Sequence, residues 1–443
     1  MPNRATLILP LLVPLSALAG PDVIVGDLTG SIVHYGEVGG IHAYSFGVTA
    51  CNPGDAPVDW FASTNRHPVF ATQLYRLDHG RFEQIGIAWA MHEFAALASN
   101  FCGTCTPPGD VSHLGIGCST VDSAGITGSQ FQLGPRTEID PATGDFPYPF
   151  GGAGGTGDAI YKRLQAGTAD LSVPAARYFV EGLFVASDDA AAGNTDNNAT
   201  WREVTFMPGS LNASFVGGSV AQQPAIEAWQ QADPGVRLTD LVAPDGGRLI
   251  VGSRATDLGN GTWAYEYAVY NMNSSMPAVL FKVPHGGRYD VAPATDIGFH
   301  DVNDHSGEPI DPADWTDETR AFSVVWTIPT PAPGLDANTL RWGTLKNFRF
   351  VSFYPPADSS VVLHLDDHGS DVSVSASAVA PGPLRCNEAD FAAPYFVRDL
   401  ADIQAFLNSF LTHDGLADLA APFGVYDLAD IQRFLAAFVG ECD

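Results

Sequence analysis

The sequence predicts a mainly β protein: a β-rich N-terminal domain, then an antiparallel β-sandwich, then a small all-α C-terminal domain of tandem loop-helix units. Three observations carry this expectation. Turn formers are abundant, with 46 Gly and 32 Pro in 443 residues, and strongly periodic helical patterns are few before residue 399. Several short runs alternate apolar with polar or small residues, the period of a half-buried strand. After residue 386 the pattern changes to a duplicated unit, offset by 28 residues from Asp390 to Asp418, whose apolar residues fall at helical spacing.

Residues 1–19 carry Arg4, an apolar run over 7–18 and Ala17-Leu18-Ala19 before Gly20. This is the pattern of a cleaved secretory signal, so the mature chain is expected to begin near Gly20 and to be secreted, extracellular or attached to the cell surface. No later stretch is long and apolar enough for a membrane span. The formal charge of −29, with Lys162, Lys282 and Lys346 as the only lysines, argues against a phosphate-binding surface and so against nucleic acid as a partner.

Six cysteines in an exported chain point to disulfides. Cys386 and Cys442 sit just outside the duplicated unit, where a bridge would staple its ends. Cys51, Cys102, Cys105 and Cys118 remain for two bridges, with three connectivities open; a redox pair or half a zinc site at Cys102 and Cys105 is the competing reading.

Residues 20–222 read as the β-rich, disulfide-containing domain, with strand-like pieces at 43–48 and 178–185 and one ambiguous apolar stretch, 85–97, that suits a helix. Residues 223–235 read as a helical bridge with Trp229 buried at the join. The sandwich is expected over 236–378, on the alternation of Trp263, Tyr265, Tyr267 and Val269, of Phe322, Val324, Trp326 and Ile328, and on Phe348, Phe350 and 361–365. The Pro- and Ser-rich segment 372–383 is expected to end the sandwich, with 379–385 as the linker and 386–443 as the last domain.

Familiar catalytic signatures are absent or incomplete. Gly152-Ala153-Gly154-Gly155-Thr156-Gly157 has the spacing of a dinucleotide loop but follows no strand and opens no helix. His92-Glu93 lacks the second histidine of a zincin helix. Asp188, Asp189, Asn194, Asp196, Asn197 and Asn198 bring together oxygen groups that suit either a calcium loop or Asx turns. Asp301, Asn303, Asp304, His305 and Glu308, beside His300, suit either a metal or acid/base site or an ordinary polar loop. Arg66, His67, Arg76, Arg81, Glu83, Trp89 and His92 suit either a carbohydrate groove with Glu83 as acid or buried ion pairs; a glycosidase needs two carboxylates at a set separation.

In the C-terminal repeats, Asp399-Leu400-Ala401-Asp402-Ile403-Gln404 recurs as Asp427-Leu428-Ala429-Asp430-Ile431-Gln432. Leu400, Ile403, Leu407 and Phe410, with Leu428, Ile431, Leu435 and Phe438, are expected to form the faces that pack the two helices together. Asp399 and Asp427 stand where helix N-caps belong. These tandem motifs, with the Cys-Asn start and the closing Gly440-Glu441-Cys442, resemble a dockerin, more specifically the GC-type variant of planctomycete-like secreted proteins.

That resemblance implies a module that binds a cohesin-like receptor or cell-surface scaffold protein and uses Ca2+, with Asp390, Asp399, Asp402, Asp418, Asp427 and Asp430 as the candidate ligands. The spacing departs from a standard loop: with Asp402 and Asp430 as the last ligands, Phe391 and Leu419 stand in first position and Asp390 and Asp418 lie one residue early. Helix capping explains Asp399, Asp402, Asp427 and Asp430 without metal. Residues 20–380, through Asn65-Arg66-His67-Pro68, His305-Ser306-Gly307-Glu308-Pro309 and Leu340-Arg341-Trp342-Gly343, resemble uncharacterised exported bacterial proteins, which brings no activity with it. The leading expectation is a secreted, non-catalytic surface or scaffold-associated protein. The alternative is an extracellular polysaccharide-degrading glycoside hydrolase tethered by the same module, with carbohydrate as its ligand.

Overall fold

A computed structural model describes residues 20–440 except 93–94, 286–293, 304–306, 321–322, 368, 383–386, 393–397, 415–416 and 423. The expected secretory signal at 1–19, the expected Cys386–Cys442 bridge, and Glu93, Asp304 and His305 lie outside the described residues. The chain is mainly β, with antiparallel sheets and short helices.

The first body is an eleven-stranded sheet. It opens with Ile24–Val38, which returns as Ile41–Cys51 through Gly39 and Gly40; both have positive φ, the conformation that a two-residue hairpin turn of matching twist requires. His79 and Gly80 turn Val69–Asp78 into Arg81–Ile87 in the same way. The stretch 85–97, which suits a helix by its apolar content, instead completes the strand Arg81–Ile87 and adds the strand Ala90–His92. Both faces are covered over 85–92, so the alternation that marks a half-buried strand is lost and a continuous apolar run over 85–91 takes its place.

Two five-stranded antiparallel sheets form the sandwich. One runs in the order Arg237–Val242, Arg248–Asp257, Trp263–Asn271, Thr344–Ser352, Thr295–His300; the other runs Thr316–Arg320, Ser323–Thr327, Ala278–Pro284, Pro356–Asp367, Ser370–Pro381. Tyr265, Tyr267, Phe281, Trp326, Phe348, Phe350 and Leu363 fill the space between them. The tyrosine hydroxyls are satisfied there, Tyr265 donating to the Tyr354 carbonyl at 2.7 Å and Tyr267 to that of Val379 at 2.9 Å. The sandwich runs past its expected end at 378, and the Ser-rich segment carries it to Pro381, three residues into the expected linker 379–385. That segment belongs to the strand Ser370–Pro381, paired along its length with Pro356–Asp367, and its serines turn outward while Ala376, Ala378 and Ala380 turn in.

The two bodies share one core. Tyr75, Phe82, Phe179 and Trp201 of the first join Tyr270, Trp342 and Leu345 of the second around Trp229. Trp229 sits on the short helix Glu227–Ala232, fully buried, with its indole N–H donating to the Gly80 carbonyl at 3.0 Å. Gly252 makes room for it, since a Cβ there would come within 2.8 Å of the indole ring.

The C-terminal helices Leu400–Leu411 and Leu428–Val439 pack on each other around their own cluster, Ala389, Phe406, Ala417 and Phe434, with Ile403, Phe410, Ile431 and Phe438 against it. Phe406 and Phe434 stack with centroids 4.0 Å apart. The expected packing face is corrected in one respect. Leu400, Leu407, Leu428 and Leu435 face outward, because the phenyl rings of Phe406 and Phe434 turn the contact stripe toward Ile403, Phe406 and Phe410 and their counterparts.

Candidate functional site

In each tail repeat the helix starts with a capping box. Asp399 Oδ1 accepts from the Ala401 N–H at 2.7 Å, and Asp402 Oδ2 accepts from the Asp399 N–H at 2.8 Å; Asp427 and Asp430 repeat both bonds. The remaining oxygen of each N3 carboxylate closes the loop before it. Asp402 Oδ1 accepts from the Ala392 N–H, and Asp430 Oδ1 from the N–H groups of Leu419 and Ala420. The Asp427 N–H above all, with those of Ala420 and Leu419, holds the Asp430 carboxyl below its usual value against the opposing effect of burial. Asp390 is buried at the head of the first loop, and Asp418 at the head of the second accepts from the Gly424 N–H. Among the described residues no three His, Cys, Asp or Glu side chains gather as a metal-ligand set. Five of the six candidate calcium ligands, Asp399, Asp402, Asp418, Asp427 and Asp430, are thus engaged by backbone N–H groups, and the set does not converge on one point.

The outer surface of this helix pair is the second feature of the module. Leu400, Leu407 and Leu411 on one helix and Leu428, Leu435 and Val439 on the other occupy equivalent positions of the repeat, and are between 46% and 82% exposed. In each set the second and third residues lie about two and three turns beyond the first, on a single face. The repeat therefore duplicates an exposed apolar stripe as well as a buried one.

Elsewhere the sequence candidates resolve into structural roles. Cys51 is bonded to Cys102 and Cys105 to Cys118, with Cα separations of 5.8 and 4.1 Å. The glycine-rich loop at 152–157 offers carbonyls, not N–H groups. Gly152, Gly155 and Gln130 accept from the Lys162 ammonium at 2.6, 3.4 and 3.1 Å, the reverse of a phosphate cradle. His67 Nε2 and His92 Nδ1 meet at 3.1 Å, and His92 stacks on Phe150. Burial pushes these imidazoles down to about 4 and about 3, so both are neutral at physiological pH.

Glu83 lines a hollow of about 180 Å3 with Arg81, Glu266, His300 and Arg349 at the junction of the two bodies. Its carboxylate is held by Arg76 at 2.6 Å, while Arg81 holds Glu266 at 2.6 Å. Two carboxylates are present in one hollow, but each is committed to a guanidinium.

The cluster at 188–198 surrounds the start of the described chain. Asp189 accepts from the Val23 N–H and from Asn198, Asp188 from the Asp59 N–H, and Asn197 donates to Asp22. Burial raises Asp22 to about 6 and Asp189 to about 7.

Three groupings escaped the sequence reading. Glu181 lies at the shared core, accepting from Tyr270 at 2.6 Å and Tyr75 at 3.3 Å, and burial raises it to about 7. Arg136, also fully buried, donates to the carbonyls of Ala88, Thr72 and Gly343 at 2.6, 2.7 and 3.3 Å. Lys346 contacts Asp301 and Asn338, both at 2.6 Å. The one signal in the sequence is that a chain with three lysines places Lys346 in step with Phe348 and Phe350 on a strand.

No family model matches this chain, and no curated protein matches it. Among solved structures, the C-terminal domain of the Streptococcus agalactiae AgI/II polypeptide BspA aligns over 81% of this chain and 100% of its own at 9% identity, with a TM-score of 0.17. The C-terminal domain of the Streptococcus pyogenes antigen I/II-family protein AspA aligns over 82% and 100% at 8% identity and a TM-score of 0.16. A biofilm associated protein B domain aligns over 82% and 85% at 9% identity and a TM-score of 0.17. Scores this low carry neither a fold nor a role to this chain.

Proposed function

We propose that this is an exported, non-catalytic surface or scaffold-associated protein, held to a partner protein at the cell exterior by its C-terminal, dockerin-like pair of helices. The observation that supports this most is the duplicated apolar stripe: Leu400, Leu407 and Leu411 repeated as Leu428, Leu435 and Val439, all facing solvent. A helix hairpin that only ended the chain would gain nothing from exposing the same six positions twice, whereas an apolar face beside a filled core suits a receptor groove. The partner is a cohesin-like receptor or scaffold protein.

Calcium belongs to this proposal as a stabiliser of the loops that Asp390 and Asp418 open, not as a ligand of all six aspartates. Within the β body, the pairing of Glu83 with Arg76 and of Glu266 with Arg81 speaks for structure over hydrolysis.

The test is capture of an envelope protein from the source organism on the immobilised full chain, compared with the variant Leu407→Ser, Leu435→Ser. Both leucines are exposed, so the variant keeps the wild-type thermal transition, within about 0.5 kcal/mol for surface changes. Capture by the wild type and its loss in the variant supports docking through this face; equal capture by both removes the stripe from the interface.

A further inference from the structure

The strand Thr344–Ser352 is flanked by Trp263–Asn271 and Thr295–His300, and His300 pairs with Asn347. The next antiparallel step therefore sets Asp301 opposite Lys346. Lys346 shares its strand face with Phe348 and Phe350, so its side chain enters the end of the sandwich core. Phe299 and Trp315 stack 5.9 Å apart and wall it in, with their rings 5.3 and 5.5 Å from Nζ. Only 2% of Lys346 is exposed.

Three polar groups meet in this cage. Lys346 Nζ donates to Asp301 Oδ2 and to Asn338 Oδ1, each at 2.6 Å. Asn338 Nδ2 donates to the same Asp301 Oδ2 at 2.7 Å and to the Ala313 carbonyl at 3.0 Å, which fixes the amide with Oδ1 toward the lysine. Trp315 Nε1 donates to the Asn338 backbone carbonyl at 2.6 Å and holds the residue in place. A nucleophilic nitrogen, an amide carbonyl and a carboxylate that touches both nitrogens are thus in mutual contact, with the lysine and the carboxylate buried.

We propose that Lys346 and Asn338 condense to an intramolecular isopeptide bond, with Asp301 as the proton carrier. Burial lowers the pKa of Lys346, which raises the share of free amine. The lysine ammonium gives a proton to Asp301 Oδ2, replacing a buried ion pair by two neutral groups. The amine lone pair attacks Cγ of Asn338 and the Nζ–Cγ bond forms. Asp301 delivers its proton to Nδ2, the Cγ–Nδ2 bond breaks and ammonia leaves. The second proton shed by Nζ returns through Asp301 and departs with ammonia as ammonium. Asp301 ends as it began, and no oxidant or cofactor is consumed. Contact at hydrogen-bond distance supplies the orientation such a slow amide exchange needs.

Asn338, and not Asp301, is the electrophile. Its carbonyl oxygen accepts from Nζ and is polarised by it, while Asp301 lies between the attacking and leaving nitrogens. The bond would close the segment 338–346 and fix the end of Thr344–Ser352 to the Pro-rich stretch before it. This inference does not depend on how the C-terminal helices are used.

Tryptic mass spectrometry of the reduced full chain tests for the bond directly. Cleavage at Arg320, Arg341 and Arg349 releases peptides 321–341 and 342–349. The expected product is these two joined, lighter by one ammonia than their sum and uncut at Lys346. Separate peptides with cleavage after Lys346 overturn the proposal, and so does a species lighter by one water in which Lys346 is joined to the peptide bearing Asp301. Asp301→Asn, with near-ultraviolet circular dichroism as the check of folding, is expected to abolish the joined species; its persistence in the folded variant removes Asp301 from the reaction. Should that variant not fold, the wild-type digest still distinguishes joined from separate peptides.

Discussion

Arg136, Lys162, Glu181 and Lys346 lie inside the β body, each with its polar atoms held by hydrogen bonds. On the C-terminal helix pair the arrangement is reversed: Leu400, Leu407, Leu411, Leu428, Leu435 and Val439 lie outside, beside a small filled core of phenylalanines. A buried charge demands partners supplied by the fold itself, whereas an exposed leucine asks for one from elsewhere. The buried charges of the body are answered within the fold, while the repeated leucines of the tail stand in solvent.

The sharpest way to break this comparison is to open the body at its shared core. Arg136→Ala leaves the carbonyls of Ala88, Thr72 and Gly343 without their buried donor and removes the guanidinium from the face of Trp342. Loss of one member of a buried charged network costs about 3–5 kcal/mol. Urea unfolding of this variant is expected to show the loss, and with it a single transition for both β bodies, because the core around Trp229 belongs to both. A loss below about 1 kcal/mol, under the range for a buried charged network, or two separate transitions in the wild type, would mean that the bodies are independent and the polar join is ornamental.

A smaller effect distinguishes the two regions by pH. Burial raises Asp22 from 3.8 to about 6. A raised folded value means that the native state holds the proton more tightly than the unfolded chain, so its contribution is full below about 3.8 and is lost as pH rises through about 6. His67 and His92 act the opposite way, since their depressed values make the native state lose stability as pH falls below 6.5. Asp22→Asn keeps the bond from Asn197 and removes the charge. The variant is expected to melt higher than the wild type at pH 7 by about 2–4 °C, the shift that ~1 kcal/mol gives in a domain of this size, and to match the wild type near pH 4. The same difference at both pH values would show that the carboxyl does not titrate in that interval.

Much of the fold was legible where large apolar residues take turns with smaller ones along a strand. Trp263, Tyr265, Tyr267 and Val269 alternate with smaller groups, and the strand Trp263–Asn271 is where they fall. Legibility failed over 85–91, where the end of Arg81–Ile87 leads into Ala90–His92 with no charged residue between, because a buried strand and a buried helix both read as unbroken apolar runs. It failed again at the end of Ser370–Pro381, where Pro381 and the small residues before it suited a linker from 379 but still pair as strand. In the tail, two apolar stripes overlap on each helix, and periodicity alone does not say which one meets its partner. The Lys346 contacts were out of reach for another reason: Asp301 is 45 residues away, and only the strand register brings it opposite.

An effect of comparable size bears on what the aspartates of the tail do. Asp430 spends Oδ2 on the Asp427 N–H and Oδ1 on the N–H groups of Leu419 and Ala420. Its depressed pKa means that this contribution is present above the unfolded value of 3.8 and is lost as pH falls below it, opposite in sign to Asp22. Asp430→Ala removes one capping contact and one loop closure, expected to cost about 0.5–2 kcal/mol. If capping is the whole role, that cost is the same with millimolar calcium or with a chelator. If calcium also sits in the loops, calcium raises the melting temperature of the wild type, and Asp418→Ala, which removes a loop carboxylate outside the capping box, abolishes the rise while leaving the chelated protein almost unchanged. Scanning calorimetry of the full chain under the two conditions separates these outcomes, because a cap stabilises a helix whatever the solvent holds, whereas a metal ligand acts only when the metal is there.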